Sequence, residues 1–359
     1  MPIDLIDLAG TPHEMGRAHG EMFREKIREF AGIRIANAMR SLQKKKLRAA
    51  REELLELAAE HLPFHRDYHP AGWEEFCGIA EGSGLSREEL LIENGLTDFV
   101  DVARERFSSG RPPAPEAEGC TAFIARGGAT PDGESWLGQT WDMHPEAEGF
   151  VVAFRRRPEG APATLTVTTT GCLSLAGISE SGLGCGNNNL SPTDARPGVH
   201  YLAMIHKALS SPGYEAAVEA VTGAPRASGH NYACAGPGGR GVFIETTAAE
   251  FEMLGDAEPV SVHTNHYVTP RLRALSAREK SRSSLDRDAR MRELLGASVT
   301  TEKVAAAFSD TAPDSDTCIC RNAGQDSRTC ATVLGRPASG ELWATRGALP
   351  DGEWTRFML

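Results

Sequence analysis

One cysteine stands where a thiol could do chemistry. Gly119-Cys120-Thr121 follows a proline-rich stretch and opens a strand-like run, whereas a structural cysteine belongs inside an apolar segment, as Cys77 and Cys234 do. The Cys120 thiol can attack the Gly119 carbonyl, shifting the acyl group from nitrogen to sulfur. Water then releases the first segment and leaves Cys120 with a free α-amine. Such an amine titrates near about 7.7–8.0, close enough to neutrality to act as general base for its own thiol. One residue would supply nucleophile and base, with cleavage between Gly119 and Cys120. About twenty residues on, Gly138-Gln139-Thr140-Trp141-Asp142 ends the next strand-like run, and a hairpin would return the Asp142 carboxylate beside Cys120.

The elements that must position these residues change character along the chain. Thr11-Pro12-His13-Glu14 is a capping box with Pro at the first helical position, predicting a helix to about Phe30. A long apolar-periodic run covers Ile33 to Leu62, and Ser86-x-x-Glu89 opens another helix, so the first third reads as nearly all α. Ser108 to Glu118, with three prolines, reads as a surface linker. Beyond it short β-rich runs alternate with turns: Cys120–Ala125, Ser135–Gln139, Phe150–Arg155 and Thr164–Thr170. Further strands are expected at Asn231–Ala235, Val242–Thr246, Thr317–Arg321, Thr329–Leu334, Leu342–Ala344 and Arg356–Leu359. Helices are expected near Tyr201–Leu209, Tyr214–Val221, Pro270–Leu295 and Thr301–Phe308. Blocks of strands separated by helices indicate an α+β fold with an antiparallel sheet rather than βαβ winding.

Taken in order, several blocks resemble the acyl-coenzyme A:6-aminopenicillanic acid acyltransferase family of N-terminal-nucleophile enzymes, relatives of the choloylglycine hydrolases. They are the segment from Gly10 to Gly20, Gly119-Cys120-Thr121, Gly138 to Asp142, Gly182 to Asn189, Ser228 to Tyr232, His263 to Tyr267 and Cys318 to Arg321. The resemblance implies a four-layer αββα sandwich in which residues 1–119 and 120–359 are two fragments of one domain, a heterodimer open to further homo-oligomerisation. It implies Cys120 as nucleophile and Asp142 as the carboxylate that holds the new α-amine or the substrate's amine. Asn265 and Arg321 resemble pocket and oxyanion residues, Thr121 and Asn231 fall in the blocks that line the substrate, and Asn188 resembles an oxyanion donor. Asn187 and Asn189 flank Asn188, and the sequence leaves open which of the three faces the site. Two positions depart from the pattern: Thr140 stands where the family usually has Asn, and Gln139 where the choloylglycine branch has Arg, which favours the penicillin-type branch over bile-salt hydrolysis.

The expected activity is amide hydrolysis or acyl transfer on a small N-acyl amide or acyl thioester, with no cofactor; coenzyme A would enter only as substrate. One alternative is an unprocessed hydrolase pairing Cys120 with His144 or His266, oriented by Asp142. Another is a relative without catalysis. Thirty-eight Lys and Arg against 49 Asp and Glu among 359 residues leave a net charge of −11, which argues against nucleic acid. The basic stretch from Arg24 to Arg51 reads as a solvated helix face. No run of 18 apolar residues suits a membrane span, and Pro2, Asp4 and Asp7 leave no signal-peptide pattern, so a cytoplasmic enzyme is expected. Eight scattered cysteines indicate thiols rather than disulfides. His61, His65 and His69 have helical spacing, but Pro63 is expected to interrupt their turn, so no zinc is assigned there. None is assigned to His263, His266, Cys318 and Cys320 either.

Overall fold

The structure, a computed structural model, describes residues 2–109, 119–255, 258–277, 281–311, 318–322 and 327–359, without the side chain at 351. Strand β1 (Leu5–Gly10) leads into helices α1 (Pro12–Met22), α2 (Arg24–Lys44), α3 (Arg51–Tyr68), α4 (Pro70–Ser83), α5 (Arg87–Asn94) and α6 (Leu96–Phe107). Most of the expected linker lies outside the described residues. Strands β2 (Ala122–Ala125), β3 (Trp136–Met143), β4 (Val151–Pro158), β5 (Thr164–Thr169), β6 (Ala176–Ser179) and β7 (Gly184–Leu190) follow. Helices α7 (Tyr201–Leu209) and α8 (Tyr214–Thr222) precede β8 (Gly229–Gly236), β9 (Arg240–Thr246), β10 (Phe251–Leu254) and β11 (Val260–His263). The chain ends with α9 (Pro270–Arg273), α10 (Arg282–Leu295), α11 (Thr301–Phe308), β12 (Arg328–Arg336), β13 (Glu341–Arg346) and β14 (Thr355–Met358).

The strands form two sheets. One has the order β1-β4-β5-β6-β7-β8-β9-β10 and the other β11-β2-β3-β12-β13-β14. Every pairing is antiparallel except β1 with β4. The sheets meet face to face through Ala122, Ile124, Leu137, Ala233, Ala235 and Phe243. Helices α7 and α8 cover strands β6 to β9. On the far side α10 packs on β11, and Phe308 of α11 lies against Phe123 of β2. This is the expected four-layer αββα sandwich.

The capping boxes form as read: Thr11 Oγ1 accepts from Glu14 N–H, Glu14 accepts from Thr11 N–H, and Ser86 and Glu89 repeat the exchange. The glycines near the N-terminus serve packing. A Cβ on Gly16 would fall 1.9 Å from the Glu75 carbonyl oxygen and one on Gly78 2.2 Å from that of His13, so α1 and α4 touch backbone to backbone. Other boundaries differ from expectation. The first helix stops at Met22 because Phe23 leaves helical geometry (φ −114°, ψ 22°), its ring packing edge-on to Phe154. The run from Ile33 to Leu62 breaks after Lys44, where Lys46 takes a left-handed φ of 62°. Pro63 does not end its helix: α3 continues through it to Tyr68. Cys318 to Arg321 bends rather than forming the expected strand, and Thr317 lies outside the described residues.

Candidate active site

Strands β2 and β3 set the site. Their register pairs Ala122 with Gln139, and it continues one step toward the N-terminus: Thr140 N–H donates to Thr121 O (2.9 Å) and Thr121 N–H to Thr140 Oγ1 (3.1 Å). Thr140 thus serves the backbone. Continued once more, the ladder brings Cys120 opposite Trp141, and the Cys120 thiol lies 3.9 Å from the Asp142 carbonyl oxygen. Cys120 is 5% exposed, buried where an accessible thiol would suit a nucleophile. Gly119 is required by close approach rather than by flexibility. A Cβ there would fall 2.6 Å from Asp142 Oδ2 and 2.8 Å from the Arg321 guanidinium.

Side chains alternate across a strand. Thr140 and Asp142 face the α10 side, as Gly138 does against Phe308. There Thr329 donates to Asp142 Oδ1 (2.7 Å), from a strand whose register shifts between Thr329 and Ala331. Arg321 Nε stands 3.6 Å from Asp142 Oδ2, and that oxygen has no hydrogen-bond partner. Burial raises the Asp142 carboxyl to about 6, with Arg321 and Arg287 pulling the other way.

Arg287, from α10, is fully buried and was missed from sequence. Its Nη1 donates to Cys120 O (2.6 Å) and Thr121 Oγ1 (2.9 Å), and its Nη2 to Asn265 Oδ1 (3.0 Å). Because Asn265's oxygen is thereby occupied, its amide must present Nδ2, which donates to Asn189 O (3.0 Å) and keeps a second N–H. Ser283 accepts from both Arg287 and Arg321, and Ser284 accepts from Asn265 N–H. Thr121, expected at the substrate, is turned to Arg287 instead, on the strand face opposite Cys120.

The interior face is different. Gln139, Trp141 and Met143 point inward with Leu137, and Cys120 shares a buried cluster with Trp141. Across the sandwich Gly184 and Gly186 present their missing side chains to Leu137 and Gln139, so by alternation Asn188 faces inward. Asn187 instead bonds His230, which reaches Asp98 on α6. Asn231 donates to Asn188 Oδ1 (3.0 Å), leaving Asn188 Nδ2 buried and unpartnered, as is Gln139 Nε2.

Neither histidine of the alternative reading is oriented by Asp142, whose side-chain partners are Thr329 and Arg321. His144 Nδ1 bonds Glu146 (3.2 Å), and burial drives its basicity down; His266 Nδ1 bonds Ser284 (2.8 Å). Although α3 is continuous, His61 and His65 bond the side chain and the backbone N–H of His200, and burial keeps all three imidazoles neutral. Among the described residues no group of three or more His, Cys, Asp or Glu is arranged to hold a metal, and no helix is long and apolar enough to cross a membrane.

The family model described as "Acyl-coenzyme A:6-aminopenicillanic acid acyl-transferase" matches residues 129–348, which include Asp142, Asn188, Asn265 and Arg321 and begin after Cys120. A relative from Emericella nidulans named acyl-coenzyme A:6-aminopenicillanic-acid-acyltransferase 40 kDa form is 24% identical over 263 residues, 73% of this chain and 68% of that protein. Two solved structures are similar at low identity. A conjugated bile acid hydrolase variant from Clostridium perfringens has 13% identity and a TM-score of 0.46, over 67% of this chain and 97% of that one. Penicillin V acylase from Agrobacterium tumefaciens has 16% identity and a TM-score of 0.46, over 67% and 86%.

Proposed function

The chain belongs to the acyl-coenzyme A:6-aminopenicillanic acid acyl-transferase family, and on that premise we propose that it is a self-processing N-terminal-cysteine amidohydrolase or acyltransferase. One observation carries this reading. Asp142 Oδ2 is a buried acceptor with no hydrogen-bond partner, set against the Gly119–Cys120 peptide so closely that only glycine fits. In the intact chain the thiol attacks the Gly119 carbonyl, the peptide nitrogen leaves as the Cys120 amine, and water hydrolyses the thioester to free the Gly119 carboxylate. The new ammonium then has a carboxylate waiting for it.

In the processed enzyme the α-amine takes the thiol proton and the thiolate adds to the substrate carbonyl. Amide N–H groups of Asn265 and Asn188 hold the oxyanion. Collapse expels the leaving amine with the proton from the ammonium, and water or an acceptor amine takes the acyl group. Fragments 1–119 and 120–359 remain one domain. None of the eight cysteines is in a disulfide, not even the cross-strand neighbours Cys185 and Cys234, which fits a reducing, cytoplasmic setting.

Intact-mass analysis tests the reading. Pieces of about 13 and 26 kDa, the 38.6 kDa total scaled by length, are expected from the wild type and absent in Cys120→Ala. A single full-length species after prolonged incubation of folded wild-type protein overturns it.

A further inference from the structure

Two buried charged groups in the helical segment stand without the partners that this fold gives its other buried charges. Arg156 and Glu75, each 1% exposed, form an ion pair at 2.7 Å, and Arg104 meets Asp101 at 2.7 Å. Among the described residues Arg34 of α2, 3% exposed, has only the Met143 thioether, 3.4 Å from Nη1, as hydrogen-bond partner, and its Nε has none. Glu93 of α5, 1% exposed, has no hydrogen-bond partner among the described residues for either carboxylate oxygen. The two feel each other electrostatically without forming an ion pair.

Their place connects them to the site. The Arg34 guanidinium stacks 4.6 Å from the Phe30 ring and lies 5.9 Å from that of Trp141. Trp141 and Met143 are on the inward face of β3, and Trp141 is the residue the ladder brings opposite Cys120. Glu93 lies against the turn at Gly171, where a Cβ would fall 2.3 Å from Oε1 and 3.0 Å from Ile27 of α2. A guanidinium presents five N–H donors in a fork that matches a carboxylate, and one thioether satisfies little of it.

We propose that Arg34 and Glu93 form a subsite for a carboxylate carried by the substrate, Arg34 pairing with its charge and Glu93 hydrogen-bonding to it. This deepens the function proposed above and rests on it for the position of the nucleophile. Burial pushes the Glu93 carboxyl well above its ordinary value, so it meets the anion as an O–H donor rather than as a second negative charge. His144, the other titratable ring near Arg34, is kept neutral by burial and does not compete for the anion.

The carboxylate can belong to the acyl group or to the amine, and two matched substrate pairs separate these sources. Adipoyl-4-nitroanilide is compared with hexanoyl-4-nitroanilide, and N-hexanoylglycine with N-hexanoylethylamine. In at least one pair the charged member is expected to show kcat/KM at least tenfold higher, mostly through KM. Arg34→Met should bring that ratio within about threefold, and Arg34→Lys, which keeps the charge, should retain part of the preference. Calorimetric titration of the wild-type chain with hexanoate and with hexanamide provides a readout independent of turnover: hexanoate should bind at least tenfold more tightly, and Arg34→Lys should weaken it. Equal handling of charged and uncharged members by wild-type protein, or equal loss on both in the variants, overturns the subsite. Failure of the self-processing reading would show instead as an uncleaved chain that turns over neither member.

Discussion

The two faces of strand β3 are built to opposite standards. On the face toward α10, buried polar groups are richly matched: Arg287 serves three acceptors on Cys120, Thr121 and Asn265, and Thr329 serves Asp142. The exceptions there include Thr332 Oγ1 and, beside the Gly119–Cys120 peptide, Asp142 Oδ2 and Arg321 Nε, which face each other at 3.6 Å without a hydrogen bond. On the inward face Gln139 Nε2, Asn188 Nδ2 and Arg34 Nε are buried without hydrogen-bond partners among the described residues, and so are both Glu93 oxygens at the Gly171 turn. An unmatched buried polar group costs about 1–3 kcal/mol, more if charged. The proposed substrate would complete the hydrogen bonding of these groups, while the better-matched face holds the Cys120 carbonyl and the Asn265 amide in place.

The largest effect that could break this contrast is steric. Gly119→Ala puts a methyl group within 2.6 Å of Asp142 Oδ2 and 2.8 Å of Arg321, so the scissile peptide must move, and cleavage should slow by at least a hundredfold. Fragment release followed by mass spectrometry measures it. Near-normal cleavage would show that the peptide is not held where the intact chain places it.

Next in size is Arg287→Met, which strands the Cys120 carbonyl and the Asn265 amide oxygen. Removing one partner from a buried charged network costs about 3–5 kcal/mol, readable as a shift of the denaturant midpoint. If Arg287 positions rather than merely stabilises, Arg287→Lys should fold yet lower kcat with little change in KM, because the Asn265 amide loses its fixed orientation. An equal change in both would reduce Arg287 to a structural role.

Asp142 supplies a pH test. With its carboxyl raised to about 6, it is ionised above that pH and neutral below it, and an ammonium partner needs the ionised form. Turnover should therefore fall with pH below the α-amine's own titration, and more steeply once Asp142 protonates, at or below about 6. Asp142→Asn should lose this steeper acid limb as well as most of the activity. A wild-type profile flat from pH 5 to 7 would separate Asp142 from the chemistry.

Much of the frame was legible from local chemistry. Capping boxes marked Thr11 and Ser86, and Tyr201–Leu209 and Thr301–Phe308 form helices over the stretches read from their sequence. Strand β7 was not legible, since Gly-Cys-Gly-Asn-Asn-Asn-Leu has no β-branched residue and is buried on both faces, so no period of two shows. For the site, Asp142 could be placed by the hairpin, and Cys120 by its neighbours. Arg287 could not, because it sits on a helix dense in Arg and Asp that reads as a solvated surface; only tertiary packing buries that one guanidinium. Thr329 escaped for a related reason, as the register shift that brings it to Asp142 has no local signal. Arg34 lies in the basic stretch read as a solvated face; Arg24, Lys26, Arg28 and Arg40 are exposed as that reading expects, and only tertiary packing buries Arg34.

The smallest expected effect tests whether the inward face is truly unsatisfied. Glu93 ordinarily titrates near 4.5, and burial raises it well above that in the folded chain. A raised folded value means that the stability Glu93 permits is fully present below about 4.5 and is lost as pH climbs toward the folded value, at up to about 1.4 kcal/mol per pH unit. Glu93→Gln removes the titration while keeping size and a hydrogen-bond donor. It should match wild-type stability at pH 4.5 and exceed it by roughly 1–3 kcal/mol at pH 7, measured by denaturant unfolding at both pH values. A variant no more stable at pH 7 than at pH 4.5, relative to wild type, would mean that the carboxyl already has a partner, and the two faces of β3 would differ less than their hydrogen bonds indicate.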